Sequence, residues 1–313
     1  MMLSIVVPCY RSALTLATLV QRLDVVTQNL VHSGIIQRCE YIFVIDGSPD
    51  ETANVARELQ AETPFLEVIE LSRNFGQHNA LLAGITASTG DIIITMDDDL
   101  QHSPEDIPAM IASLESKNAD VIYGVSTREE HGFVRSLSSR LAKAMFKTLG
   151  VTHGGDISAF RAFTRELVPL FNNVQSPVVS VDVVLSWGTK RISTCPVDMK
   201  LRETGSSGYN LISLSKYMMN VVLGFSTFPL KLATWVGAIS SLLALIFGVY
   251  TLVMYFAQGI STEGFTTIAI LIAFFGGVQL FSMGVLGEYL GRIFMKQIGQ
   301  PPYNIRSVSS QKS

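Results

Sequence analysis

Asp91-Ile-Ile-Ile-Thr-Met-Asp97-Asp-Asp-Leu-Gln101 is the stretch on which the reading of this chain turns. Three consecutive isoleucines form a short apolar run of the kind found in a buried strand, and three consecutive carboxylates follow it directly. In an extended segment Asp97, Asp99 and Gln101 project to one side and Asp98 to the other. Adjacent carboxylates repel unless a cation or tight hydrogen bonding offsets them. Hard oxygen ligands at a strand end suit Mg²⁺ or Mn²⁺, which bridge to substrate phosphates. The plainer alternative is a solvated acidic turn in which Asp99 or Ser103 caps the next helix. The apolar run leading straight into the acids favours the metal.

Working outward, residues 3–126 alternate apolar runs with helical stretches. Strands are expected at 3–8, 40–45, 65–71, 91–96 and 121–123, and helices at 13–32, after Asp50, at 78–88 and at 105–116. Asp50 is a plausible N-cap, because Ala53, Val55, Ala56 and Leu59 follow at helical spacing. Strands alternating with helices imply an α/β fold with a parallel, doubly wound sheet. In such sheets ligands sit at the carboxyl ends of the strands, where the strand order reverses. Two more motifs fall at strand ends. In Asp46-Gly-Ser-Pro-Asp50, Asp46 can accept from a base or ribose while Gly47 permits close backbone approach; an ordinary turn reads equally well. Ser72-Arg-Asn-Phe-Gly-Gln-His78 offers an arginine and amides to a diphosphate, or is simply a helix start.

The charge distribution divides the chain. Only 16% of the 313 residues are charged, against roughly a quarter in an ordinary soluble domain. Residues 1–228 carry 18 basic and 24 acidic side chains, whereas residues 229–313 carry 5 and 2. Residues 232–262 and 264–287 contain no Asp, Glu, Lys or Arg. Each stretch exceeds the ~20 residues needed to span a bilayer. Together with a mean hydropathy of +0.36, this excludes a single water-soluble globule and a disordered chain. A net charge of −3 argues against a nucleic-acid partner.

The organisation expected is a catalytic domain over 1–210, an amphipathic juxtamembrane segment over 211–228, spans at 229–256 and 265–287, an outer loop at 257–264 and a tail at 288–313. Lys231, Arg292, Lys296, Arg306 and Lys312 flank the spans, while the loop holds only Glu263. The positive-inside tendency therefore puts both termini in the cytoplasm. No signal peptide is read at the N-terminus, and the tail from Ser307 is expected to lack fixed structure. Three scattered cysteines, Cys9, Cys39 and Cys195, suit a reducing compartment and no metal framework. Residues 135–149 place Leu137, Leu141, Ala144, Met145 and Leu149 on one helical face, either a basic amphipathic helix at a membrane surface or a packed surface helix.

Taken together these stretches resemble the family 2 glycosyltransferases of GT-A fold, in their membrane-anchored polyprenyl-phosphate branch. That branch includes dolichol-phosphate mannose synthases, bactoprenol glucosyltransferases and undecaprenyl-phosphate aminoarabinose transferases. The matching segments are Val6-Val-Pro-Cys-Tyr10, Asp46-Gly-Ser-Pro-Asp-Glu-Thr52, Arg73-Asn-Phe-Gly-Gln77 and Gly90-Asp91. Met96-Asp-Asp-Asp-Leu-Gln101, Asp156-Ile-Ser-Ala-Phe-Arg161 and Gly287-Glu-Tyr-Leu-Gly-Arg-Ile293 complete the set. The 73–78 run and the second span look closest to the aminoarabinose-transferase type. Departures from the family pattern fall at Arg11-Ser12, Ile45 and Ser207-Gly208.

The resemblance implies that Asp97, Asp99 and Gln101 handle Mg²⁺ or Mn²⁺ together with the donor diphosphate. Pro8, Tyr10 and Asp46, with Asp97, would bind the nucleotide. It associates Arg128, Arg135, Ser139 and Arg140 with the acceptor phosphate, adds Arg161 and Arg202 at phosphate, and puts Asp156 at the position of a catalytic base. The implied partners are a nucleotide sugar (UDP-linked favoured), polyprenyl phosphate and membrane lipid, with self-association left open. The implied setting is a bacterial inner membrane. Rival readings are a non-catalytic membrane scaffold or flippase partner, and a processive polysaccharide synthase. The synthase would call for a Gln-x-x-Arg-Trp motif and more spans, and neither is present.

Overall fold

The computed structural model describes residues 1–126, 157–174, 176, 179–199, 227–258 and 264–309. Arg128, Arg135, Ser139, Arg140, Asp156 and Arg202, the 135–149 helix and residues 211–226 lie outside the described residues.

Two compact units emerge: Met1–Leu214 with Gln300–Ser313, and Ser215–Gly299. The first unit begins β1(Met2–Cys9), α1(Leu16–His32), β2(Arg38–Ile45), α2(Thr52–Glu62), β3(Leu66–Leu71), α3(Gln77–Ala87) and β4(Ile92–Thr95). It continues with α4(Ile107–Ser116), β5(Val121–Ser126), β6(Arg161–Thr164), α5(Val168–Asn172), α6(Val181–Gly188) and β7(Ile192–Val197). The chain then forms α7(Phe228–Gln258) and α8(Phe265–Gln297) in the second unit and ends in β8(Ile305–Ser309).

The eight strands form one sheet in the order β7-β5-β6-β4-β1-β2-β3-β8. β1 pairs in parallel with both β2 and β4, and β2 with β3. The chain thus winds outward from β1 to β3 and returns to β1's other edge with β4. That reversal opens a crevice between the carboxyl ends of β1 and β4, where Tyr10 and Asp97 emerge. Both faces of the sheet are covered, so the strands read as nearly unbroken apolar runs. Leu3, Ile5, Val7 and Cys9 pack with α1 and α4 on one face. Val6, with Ile42, Val44 and Ile93, packs against α3, α5 and α6 on the other.

The sheet is mixed, not wholly parallel as its strand–helix alternation implies. β6 inserts antiparallel between β4 and β5, and β8 pairs antiparallel with β3. The tail expected to be unstructured from Ser307 therefore forms an edge strand. Its pairing is made by the backbone, and every residue of β8 is exposed. α1 starts at Leu16, three residues later than its apolar spacing suggests, because Ser12 is held by Thr52 and Asp98 and begins a turn.

In the second unit, almost none of either apolar window of α7 and α8 is buried against protein, as a core helix of a soluble domain would be. α8 continues ten residues beyond the expected end of its span, stapled by a Glu288–Arg292 pair at i,i+4. At 1.5 Å per residue its 33 residues run to about 50 Å, longer than a ~30 Å hydrocarbon layer.

Candidate active site

At the switch point Pro8, Cys9, Tyr10, Asp46, Asn74, Gly76, Gln77, Asp97, Asp98 and Asp99 line a cavity of about 270 Å³. β1, β2 and β4 deliver Pro8, Asp46 and the acidic triplet at their carboxyl ends, and the β3–α3 loop closes one wall. Four of these side chains are carboxylates and none is Lys or Arg.

Asp98 is the member of the triplet turned into the protein. It accepts a hydrogen bond from Tyr10 N–H at 3.1 Å and another from the Ser12 hydroxyl. Burial pushes its carboxyl up to about 6; these two donors pull it down and the charges of Asp97 and Asp99 push it up. Asp97 and Asp99 remain on the cavity wall. Asp97 Oδ1 accepts from Gln77 Nε2 at 2.6 Å, and Asp97 N–H donates to His102 Nδ1 at 3.2 Å. His102 stacks on Phe160 and is nearly buried, which lowers its pKa to about 4 and keeps the ring neutral. Because Asp97 N–H donates to it, Nδ1 is the unprotonated nitrogen of that neutral ring. Leu100 has a φ of +62°, and this turn ends the extended alternation expected to carry Gln101. Gln101 is not among the lining residues; its N–H donates to Asp99 Oδ1 at 3.2 Å.

Asp46 lines the cavity but is 3% exposed, and both of its oxygens are engaged. Phe75 N–H donates to Oδ1 at 2.7 Å and Gly76 N–H to Oδ2 at 2.8 Å. Burial raises its pKa, with these amides acting in the opposite direction. What Asp46 grips is thus the β3–α3 loop. Gly47, expected to admit a ligand, admits that same loop. With φ at +56°, a Cβ there would lie 2.2 Å from Arg73 C and 2.3 Å from Asn74 N. Gly47→Ala is expected to cost at least ~2 kcal/mol, of which 1–2 is the left-handed backbone and the rest displacement of the loop. Thermal melting checks this. The N-cap of α2 is Glu51, not Asp50 as expected; Asp50 stands one residue earlier, where its Oδ1 accepts from Thr52 N–H at 3.2 Å.

Arg161, expected at phosphate, is elsewhere. It is 3% exposed, and its guanidinium forms a two-pronged pair with Asp182 at 2.6 and 3.0 Å. It also donates to Thr95 Oγ1 and Ala159 O. Tyr123 O–H donates to Asp182 Oδ1 at 3.1 Å. Burial pushes the Asp182 carboxyl up, but the charge and hydrogen bonds of Arg161 outweigh it and hold the group below the usual carboxylate range. His102 and Asp182 carried no flag in sequence, although Asp182 is the lone charge in Val181-Asp-Val-Val-Leu185. A lone acid in a buried apolar helix signals a buried cationic partner.

Among the described residues no three His, Cys, Asp or Glu side chains gather to enclose a metal. A pair of carboxylates still fits a hexacoordinate hard cation whose other positions go to substrate phosphate and water. The cavity's surplus of negative charge fits it too, since nothing cationic on the described wall would hold a diphosphate.

Residues 4–169 match the family described as glycosyl transferase family 2. The chain belongs to glycosyltransferase family 2. Residues 228–293 match a second family, the GtrB C-terminal hairpin, which coincides with α7 and α8. An undecaprenyl-phosphate 4-deoxy-4-formamido-L-arabinose transferase from Klebsiella pneumoniae is 31% identical, covering 98% of this chain and 94% of that one. One from Pseudomonas syringae is likewise 31% identical, over 99% and 91%. Among solved structures, glucosyl-3-phosphoglycerate synthase from Mycobacterium tuberculosis, crystallised with Mn²⁺, UDP-glucose and phosphoglyceric acid, superposes with a TM-score of 0.50. It has 19% identity and covers 71% of this chain and 77% of its own. Mannosyl-3-phosphoglycerate synthase from Rubrobacter xylanophilus gives 0.50, 18%, 71% and 71%. Both agree with the GT-A architecture. The protein is therefore a glycosyltransferase with a mixed α/β catalytic domain and two C-terminal candidate membrane spans.

Proposed function

We propose that this enzyme transfers a sugar, with inversion, from a nucleotide donor to undecaprenyl phosphate at the cytoplasmic face of a bacterial inner membrane. One observation carries the reading: a cavity at the switch point whose charged lining residues are all aspartates, in a chain that also bears two apolar helices. The names of the full-length relatives supply the acceptor class.

In this reading Asp97 and Asp99 hold Mg²⁺ or Mn²⁺ against the donor diphosphate, and Gln77 orients Asp97. When bound, the ion neutralises charge developing on the leaving diphosphate. Pro8 and Tyr10 flank the nucleoside, with uridine the favoured one, and Asp46 holds the β3–α3 loop that forms part of the wall. An oxygen of the acceptor phosphate bonds to the anomeric carbon as the bond from that carbon to the donor diphosphate breaks. The nucleoside diphosphate departs with the electron pair. A phosphate monoester has its second pKa near ~6, so at neutral pH it is largely the dianion and attacks without a strong base. Asp156 then serves as base or as orienting group, and Arg128, Arg135, Ser139, Arg140 and Arg202 meet the acceptor side. Arg161 belongs to the support beneath the site.

Membranes containing the protein, supplied with undecaprenyl phosphate and a panel of labelled nucleotide sugars, should transfer at least one label to lipid. Transfer of none returns the chain to the scaffold reading. The topology predicts that a cysteine placed at Ser261, in the 257–264 loop, reacts with an impermeant thiol reagent from outside the cytoplasm. Labelling from the cytoplasmic side only would reverse the orientation.

A further inference from the structure

The β3–α3 loop supplies Asn74, Gly76 and Gln77 to the cavity wall and, through Gln77, a hydrogen bond to Asp97. Its far end is gripped by Asp46. Its near end, Ser72, is gripped by the chain terminus. Ser72 N–H donates to Asn304 O at 2.9 Å. Arg306 Nη2 donates to Ser72 O at 3.0 Å, and Nη1 to Glu70 Oε1 at 2.9 Å.

The register explains how Arg306 reaches both. Glu70 faces Ser307 while Leu71 faces Ile305, so Arg306 is the extra residue of a β-bulge. A bulge re-aims the side chain it carries, and this one aims at the carboxyl end of β3, where the loop begins. Glu70 is largely buried and takes Arg57 as well. At the other end of β8, Gln60 Nε2 donates to Ser309 O at 2.6 Å. Only residues 298–304 separate α8 from this strand.

We infer that β8, the strand that follows the second apolar helix, is a positioning element of the donor pocket, with Arg306 as its positioning residue. Arg306 touches neither donor nor acceptor. It fixes Ser72, and so the loop that carries Asn74, Gly76 and Gln77. The pocket wall is thereby tied through seven residues of chain to the end of the membrane anchor. The kinetic part of this inference rests on the donor-pocket reading above; the structural part does not.

Two full-length variants, Arg306→Ala and Arg306→Lys, and a chain ended after Gly299 test it by hydrogen exchange and by kinetics. At 60% side-chain exposure, Arg306 can be lost without unfolding the domain, because exposed ion pairs contribute little stability. In Arg306→Ala the amides of residues 72–77 should exchange about tenfold faster while those of β1 and β4 stay protected. The shortened chain should show a larger increase. The donor KM should rise several-fold with kcat and the acceptor KM nearly unchanged. Arg306→Lys, able to reach only one of the two acceptors at a time, should fall between. Unchanged exchange at 72–77 in both Arg306→Ala and the shortened chain would overturn the inference, as would faster exchange with an unaltered donor KM. If the intact enzyme transfers no sugar, the exchange measurement still decides whether β8 holds the loop, and only the proposed function has failed.

Discussion

Asp97→Ala and Asp99→Ala are each expected to lower transfer by about 10³-fold or more while leaving the domain folded. Each removes one of the two carboxylates proposed to share the cation. Loss of a metal's charge stabilisation is worth several kcal/mol, and each 1.36 kcal/mol is tenfold in rate. Folding should not suffer, because the triplet is a site of repulsion. The Asp98 carboxyl sits at about 6, raised first by burial and further by Asp97 and Asp99. Without metal, removing either neighbour relieves that strain, so the variants should melt at or slightly above the wild-type temperature.

Metal then separates the two explanations for lost activity. A ligand that binds only the folded state stabilises it by RT ln(1 + [L]/Kd), about 2.7 kcal/mol at a hundredfold excess over Kd. Wild-type protein should melt higher when Mn²⁺ and nucleoside diphosphate are added together, and the variants should not. Retained transfer in either variant, or an undiminished metal-dependent melting shift, would remove these carboxylates from the metal site. Gln77→Ala should fall between, since it disturbs the orientation of Asp97 without removing a charge.

What the sequence made readable follows from what each feature requires of its residues. β1 and β4 are buried on both faces and are written almost wholly as apolar runs, so the acids after Met96 stood out, whereas β3 carries Glu67 and Glu70 among its apolar residues. The switch point was legible only as a rule, that ligands sit where strand order reverses; the structure supplied the order that puts it between β1 and β4. β8 carried no such signal: Ile305-Arg-Ser-Val-Ser is largely polar and exposed, and is held by backbone pairing with β3 and by the bonds of Arg306 and Gln60. Gly47 was legible in kind but not in partner, since a requirement for close approach does not say whether a ligand or a loop approaches. Arg161 shows the same limit more sharply. A guanidinium serves phosphate and carboxylate through the same two-pronged geometry, and only Asp182, on an element far along the chain, decided between them. Gln101 was misplaced because alternation assumes an extended backbone, and Leu100 leaves it.

Breaking the Arg161–Asp182 pair should produce the largest loss of stability of any single change considered. Asp182→Ala leaves a buried guanidinium without its counter-charge, a situation that costs about 3–5 kcal/mol, and it also strips Tyr123 of its acceptor. Arg161→Ala should cost a similar amount. Replacing both by apolar residues of comparable volume, Arg161→Met with Asp182→Leu, should recover most of that stability, because desolvation of the two charges then disappears together. Activity should not recover with it. Arg161 also donates to Thr95 Oγ1 and Ala159 O, which fasten the end of β4 one residue before Met96-Asp97, and its charge interacts with that of Asp97. The pH dependence carries the sign of a depressed carboxyl. The contribution of the pair is complete above the ordinary aspartate value near ~4 and is lost as pH falls through the lower folded value. Asp182→Asn should therefore be less stable at neutral pH and should lose less stability on acidification. Equal melting temperatures for the single and double variants would overturn the stability argument, and full activity in the double variant would mean that Arg161 does not support the acidic site.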